Sequence, residues 1–303
     1  MIEIPFSPII FQAGSLVLSW HGIFSVLAVA LGVFLAGRWA PKYGISKDSL
    51  YELAIWALIA AVIGARLVAI LDDLEFYAGN PLQVFAFWRG GIAIWGGVLG
   101  GLAGGVLYAR KAKLPVARMA DVIAPALVLA LIVGRFGDIV NGEHCAEITS
   151  SFWGFIYTHS TSPAFFCFDT IPSPPMHPAV VYEMLWNGLI FAGLWWGLKD
   201  RIRPEGMLLA SFFALYATGR FFIGFYHHTY ADYLGDLNQL QLISIAVLLV
   251  TVPLLGLKAR IGARVPPDYP LPPASPSRPR GERRRRAARQ ARRASHQSPE
   301  SSD

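Results

Sequence analysis

A chain of 303 residues that is 54% hydrophobic and only 15% charged, with a mean hydropathy of +0.45, is too apolar for a soluble globule and reads as a membrane protein. The net charge of +6 is unevenly spread: residues 258–303 hold 12 of the 26 Lys and Arg and 4 of the 20 acids, a charge of +8 that leaves −2 for the rest. A basic partner preference therefore belongs to that tail alone, and two cysteines exclude both a disulfide framework and a cysteine metal site.

The first ten residues, MIEIPFSPII, carry an acid and no base, so no cleavable signal peptide is expected. Apolar windows near the roughly 20 residues that a bilayer needs follow at about 14–37, 51–71, 91–109, 119–141, 179–198, 206–226 and 238–257. The expected fold is an all-α integral membrane protein of about seven transmembrane helices. In the third window Gly97, Gly101 and Gly105 suit either close helix contact or a broken, re-entrant helix.

Bases mark alternate loops: Lys42 and Lys47 after the first window, Arg110 and Lys111 after the third, Lys199 and Arg201 after the fifth, and the Arg-rich tail after the seventh. Arg89 is the only base after the second window. Short cytoplasmic loops carry Lys and Arg, so the N-terminus is expected outside and the C-terminus in the cytoplasm. That orientation puts His21, Arg66, Arg135, Asp138, Glu183 and Arg220 at one level, the outer leaflet. A transporter would need charges through the full thickness; a belt at one depth fits work on lipid headgroups.

The densest part of the belt is GRFGDIVNGEHCAE from Gly134, where Arg135, Asp138 and Asn141 recur every three residues on one helix face, with Glu143 just beyond. A charge in hydrocarbon costs about 2.5–3.5 kcal/mol on insertion scales, so such a cluster is kept for pairing or for use. The loop after it holds Cys145 and Cys167, which either bridge on the oxidising side or remain two free thiols. Residues 1–257 form the membrane domain. Residues 258–303 form a tail, expected to be disordered from Pro266 and to rest on anionic lipid rather than nucleic acid.

GRFGDIVNGE resembles the signature of bacterial prolipoprotein diacylglyceryl transferases, approximately G-R-x-G-N-F-x-N-x-E, with Gly134, Arg135, Gly137, Asn141 and Glu143 matching. WHG at Trp20–Gly22, GAR at Gly64–Arg66, HPAVVYE at His177–Glu183, GRF at Gly219–Phe221 and QLIS at Gln241–Ser244 resemble further family motifs in the same order. The resemblance implies an enzyme of the bacterial cell membrane. It would transfer the diacylglyceryl group of phosphatidylglycerol to the thiol of a preprolipoprotein lipobox cysteine, with no cofactor or metal and no nucleic acid. The alternative is a phospholipid-binding relative that has lost catalysis.

Arg135 and Arg220 would meet the phosphate, Asp138, Asn141 and Glu143 the glycerol headgroup, and Arg66 would complete the lipid site. The chain also departs from the pattern. Trp95 stands where the family carries a histidine, His21 replaces a tyrosine, and Gly224 and His227 stand where a Glu and an Arg are expected. Indole cannot accept a proton, so the candidate bases are His21 and Glu143, the latter beside His144; otherwise the thiol ionises without a dedicated base.

Overall fold

The computed structural model describes residues 1–14, 16–85, 93–142, 144–228, 235 and 237–264. Arg89, Glu143 and the tail from 265 onward lie outside the described residues. The chain is mostly helical, and among the described residues five helices are long and apolar enough to cross a membrane. These are α1 (Trp20–Trp39, continued by a tight turn to Tyr43), α2 (Lys47–Asp72), α5 (Val116–Asn141), α8 (Met207–Ile223, continued to Tyr226) and α9 (Gln239–Lys258). Between them lie the short α3 (Leu74–Gly79), α4 (Ile94–Lys111), α6 (Phe165–Phe168) and α7 (Ala179–Ala192), which runs on as a π-helical turn, Gly193–Leu198.

Two expectations need amending. The fold is not all helix: β1 (Ile2–Ile4) pairs in parallel with β4 (Phe155–Tyr157), β2 (Ile9–Ala13) forms a hairpin with β3 (Leu16–Ser19), and β5 (Ile202–Arg203) pairs with β6 (Arg260–Ile261). The first helix accordingly starts at Trp20 rather than near residue 14. Gly14 turns the hairpin at φ +59°, and the Ser19 hydroxyl caps α1 by accepting from Gly22 N at 3.1 Å. The β5–β6 pair joins the segment before α8 to residues 260–261, just after α9.

Two tightly packed helix pairs make the half of the molecule that matters for the site. α2 meets α4 through glycines: a Cβ on Gly100 would fall 3.0 Å from Gly64 Cα and against the Ala60 carbonyl. The third window is thus a continuous helix over Ile94–Lys111, its small residues spent on close contact. Gly100→Leu is expected to force this pair apart at a cost of about 1–3 kcal/mol, an overpacking penalty. Gly79→Ala, where an added methyl meets nothing within 4 Å, should leave the detergent melting curve unmoved.

α1 packs along α5 as the second pair, and the buried side chains of Ala36, Ile45, Leu50, Met119 and Val122 close the end of the molecule where α1 finishes and α2 begins. At that same end the Asp121 carboxylate of α5 accepts from the Gly206, Leu208 and Leu209 amides at 2.7–3.1 Å. It therefore satisfies the open N-terminus of α8 and fixes the α5–α8 crossing. At the opposite end Cys145 and Cys167 are joined by a disulfide, stapling the loop after α5 to α6.

Candidate active site

The site forms where α1 and α7 begin and α5 and α8 end. Gly137 brings α1 and α5 together: a Cβ there would lie 2.8 Å from His21 Cα and 3.1 Å from Phe24 Cβ, so only glycine lets α1 rest directly on α5. Contact at this distance sets His21 over Asp138, and the His21 Nδ1–H donates to Asp138 Oδ1 at 2.7 Å. Arg135, one turn earlier on α5, donates from Nη1 to Asp138 Oδ2 at 2.7 Å. Nδ1 is thereby committed to the carboxylate, which fixes the orientation of the His21 ring.

Arg135 reaches in two directions. Its other terminal nitrogen pairs with Glu183 Oε2 on α7, and Arg220 on α8 pairs with Glu183 Oε1. Glu183 is 4% exposed, so a buried carboxylate lies between two guanidinium groups and holds them side by side. His144 Nε2 sits 3.2 Å from Asp138 Oδ2 and 3.4 Å from Arg135 Nη1; it donates to the carboxylate when protonated and accepts from the guanidinium when neutral.

His227, just past the end of α8, has Nε2 3.4 Å from Glu183 Oε1. Burial, and then the positive charges of Arg220, His144 and Arg135, hold its pKa down at about 3. It is therefore a neutral ring at physiological pH. The wall behind the site is the Tyr157 hydroxyl, which donates to Ile139 O at 2.9 Å, and Gly142, which ends α5 at φ +75°.

His21, Arg135, Asp138 and Arg220 thus meet in one network, and Asn141 is buried one turn beyond Asp138. Arg66 has other described contacts: its guanidinium donates to the Gln83 and Val84 carbonyls and lies 5.1 Å from the centre of the Tyr77 ring, bracing α2 against the segment that follows α3. Trp95 is half exposed in the first turn of α4. Glu183, placed by the sequence in the outer-leaflet belt, and His227 had no assigned role in the expected site. The signal for Glu183 was its place in HPAVVYE; for His227 the sequence offered only a departure from pattern.

From this polar end an apolar cavity of about 750 Å³ runs between the α1–α5 and α2–α4 pairs. His21, Arg135 and Asp138 stand at its mouth, Ala57, Gly97 and Ala130 along its sides, and Ala36, Leu50 and Ile123 at its far end. A charged rim over a hydrocarbon-lined hole fits a lipid, headgroup uppermost.

A family model described as prolipoprotein diacylglyceryl transferase matches residues 8–257, more than half the chain. The chain belongs to the prolipoprotein diacylglyceryl transferase family. Among its curated relatives, the phosphatidylglycerol–prolipoprotein diacylglyceryl transferase of Synechococcus elongatus is 32% identical over 246 residues, covering 80% of this chain and 83% of that protein. Those of Listeria innocua and Oceanobacillus iheyensis, named alike, are each 32% identical and cover 83% and 82% of this chain and 89% and 86% of their own lengths. The matched span contains the whole polar network, so the transferase fold and the site coincide in one stretch of chain.

Proposed function

We infer that this chain is a transferase that moves the diacylglyceryl group of phosphatidylglycerol onto a prolipoprotein, the activity named for its relatives. The observation that carries the reading is the hydrocarbon-lined cavity ending at His21, Arg135 and Asp138, a hole with the amphipathic character of a phospholipid. The acceptor is the lipobox cysteine thiol. Its sulfur attacks the glyceryl carbon that bears the phosphate, the carbon–oxygen bond breaks, and glycerol phosphate leaves with the bonding pair.

The chain's residues divide this work. Arg135 and Arg220, aligned by Glu183, lie where negative charge grows on the departing phosphate. Asp138 and Asn141, with Glu143 beyond them, address the hydroxyls of the headgroup. Arg66 serves the lipid side less directly, by holding the segment beside α2. His21 is 43% exposed at its side chain, lines the cavity and is oriented by Asp138, so its imidazole is the group we assign to take the thiol proton.

We place the protein in the inner membrane with seven spans, α4 and the α7–π-turn run joining the five helices that are long and apolar enough to cross by themselves. The N-terminus is outside, the site opens at the outer leaflet, and the basic tail beyond 264 lies over anionic lipid in the cytoplasm. Support comes from alternation: every site residue sits at the helix ends opposite the Lys- and Arg-bearing loops.

The deciding experiment is a reporter preprolipoprotein peptide with purified protein in phosphatidylglycerol vesicles, read by mass spectrometry as a thioether-linked diacylglyceryl adduct. No adduct would overturn the reading. The base can be tested in the same assay. A lipobox thiol with an ordinary pKa is already a few per cent ionised near neutrality, so a base can gain only about tenfold to fiftyfold. His21→Gln should lose about that much near neutral pH, and its remaining rate should go on rising with pH up to the pKa of the thiol itself, because only ionised thiol then reacts. A full rate with the natural pH profile would move the proton acceptor elsewhere.

A further inference from the structure

The cavity has a floor. Along α1 its lining runs from His21 to Ala36 and along α5 from Asp138 down to Ile123, in each case 15 residues. At 1.5 Å per helical residue this is roughly 22 Å from the polar rim to the far end. A bilayer's hydrocarbon is about 30 Å thick, so one leaflet supplies about 15 Å. The cavity is deeper than the leaflet its lipid comes from.

Its far end is also shut. Ala36 and Leu50, which line the cavity, belong to a buried core with Ile45, Ala109, Met119 and Val122, and neither is more than 3% exposed. Among the described residues nothing comparable closes the flank, where Val29, Leu58 and Val98 line the cavity and are each more than half exposed. One acyl chain can therefore lie in the shaft while the second leaves between the helix pairs into the surrounding lipid.

We propose that this shaft is an acyl-chain ruler: the Ala36–Leu50–Ile123 floor sets the longest fatty chain that phosphatidylglycerol can bring to the reacting centre. This rests on the function inferred above and adds a specificity to it. When the headgroup phosphate is held at Arg135, the position of the glyceryl carbon is fixed, so a chain too long for the shaft must either buckle against the floor or lift the carbon away from His21. Chains of ordinary length do not reach the floor, because it lies about 7 Å beyond the depth of one leaflet. The enzyme is accordingly indifferent among common lipids and selective only against very long ones.

Raising the floor should bring the cut-off into the ordinary range. Val33 on α1 lies 12 residues below His21 and Leu127 on α5 lies 11 below Asp138, both on the cavity wall at roughly 16–18 Å from the rim. Val33→Phe and Leu127→Phe put an aromatic ring across the shaft there.

The test offers vesicles with equal parts of dilauroyl, dipalmitoyl and dibehenoyl phosphatidylglycerol to each protein with the reporter peptide, and weighs the three thioether products. Ratios within one reaction cancel any difference in the amount of folded enzyme. The natural chain should use the first two within about twofold and the dibehenoyl lipid roughly tenfold less, the penalty for overfilling a packed space. Either phenylalanine variant should make dipalmitoyl fall roughly tenfold behind dilauroyl. Ile123→Ala, which lowers the floor, should raise the dibehenoyl share. Unchanged ratios in all three variants would overturn the ruler while leaving the transferase reading intact. Absence of any adduct from the natural chain with all three lipids would overturn both.

Discussion

Arg135→Lys is expected to lower thioether formation about a hundredfold to a thousandfold while the protein still inserts and folds, the loss found when one preorganised donor to a developing anion is removed. The reason is the shape of the group rather than its charge. Arg135 donates to Asp138 Oδ2 from one terminal nitrogen and pairs with Glu183 Oε2 from the other, so the plane of its fork is set by two carboxylates on two helices. A lysine ammonium is a single point on a flexible stem and can satisfy one of those carboxylates at a time. The phosphate oxygens would then face a cation whose direction is no longer defined. Because the loss falls on stabilisation of the leaving group, kcat should drop far more than the apparent affinity for phosphatidylglycerol changes. The measurement is initial-rate kinetics on vesicles of graded phosphatidylglycerol content, with a melting curve as the check on folding. Turnover equal to that of the natural chain would remove Arg135 from the phosphate-facing role.

The sequence makes the helix-scale plan legible and leaves most of the site's geometry hidden, for physical reasons that can be named. Hydropathy over about 20 residues reports burial in hydrocarbon, so the long helices α1, α2, α5, α8 and α9 each fall within or close to an apolar window. The same average cannot tell a short apolar strand from the start of a helix. Leu16–Ser19 therefore falls inside the first apolar window although it is a hairpin strand that ends at the Ser19 cap. Spacing of three on α5 correctly put Arg135, Asp138 and Asn141 on one face, because that relation is local.

What no local pattern encodes is which distant helix the face meets. Asp138 finds His21 from 117 residues away, and Arg135 and Arg220 find each other through Glu183. Arg66, at the same depth on α2, donates to the Gln83 and Val84 carbonyls, a pairing that its depth alone does not reveal. Depth is a sequence property, whereas azimuth around the bundle comes only from packing.

Glu183 provides the sharper test of how the network is built, because its two substitutions should fail differently. Glu183→Ala leaves the Arg135 and Arg220 guanidinium groups without the anion between them in a buried place, a loss expected to cost about 3–5 kcal/mol of stability. That variant should melt early and transfer little. Glu183→Gln keeps the size and one hydrogen-bonding oxygen but removes the charge that Arg135 and Arg220 share. In the natural chain this carboxylate competes with the lipid phosphate for the same two cations. Without its charge the arginines are freer to grip an anionic headgroup in the ground state, so the apparent KM for phosphatidylglycerol should stay level or fall. The alignment that matches them to the transition state is lost at the same time, and kcat should fall about tenfold or more. Inorganic phosphate should also inhibit Glu183→Gln at lower concentration than it inhibits the natural chain, since it needs no glyceryl group to occupy the pair. A Glu183→Gln enzyme with raised KM, unchanged kcat and unchanged phosphate inhibition would mean that Glu183 only packs the helices and does not set the arginines.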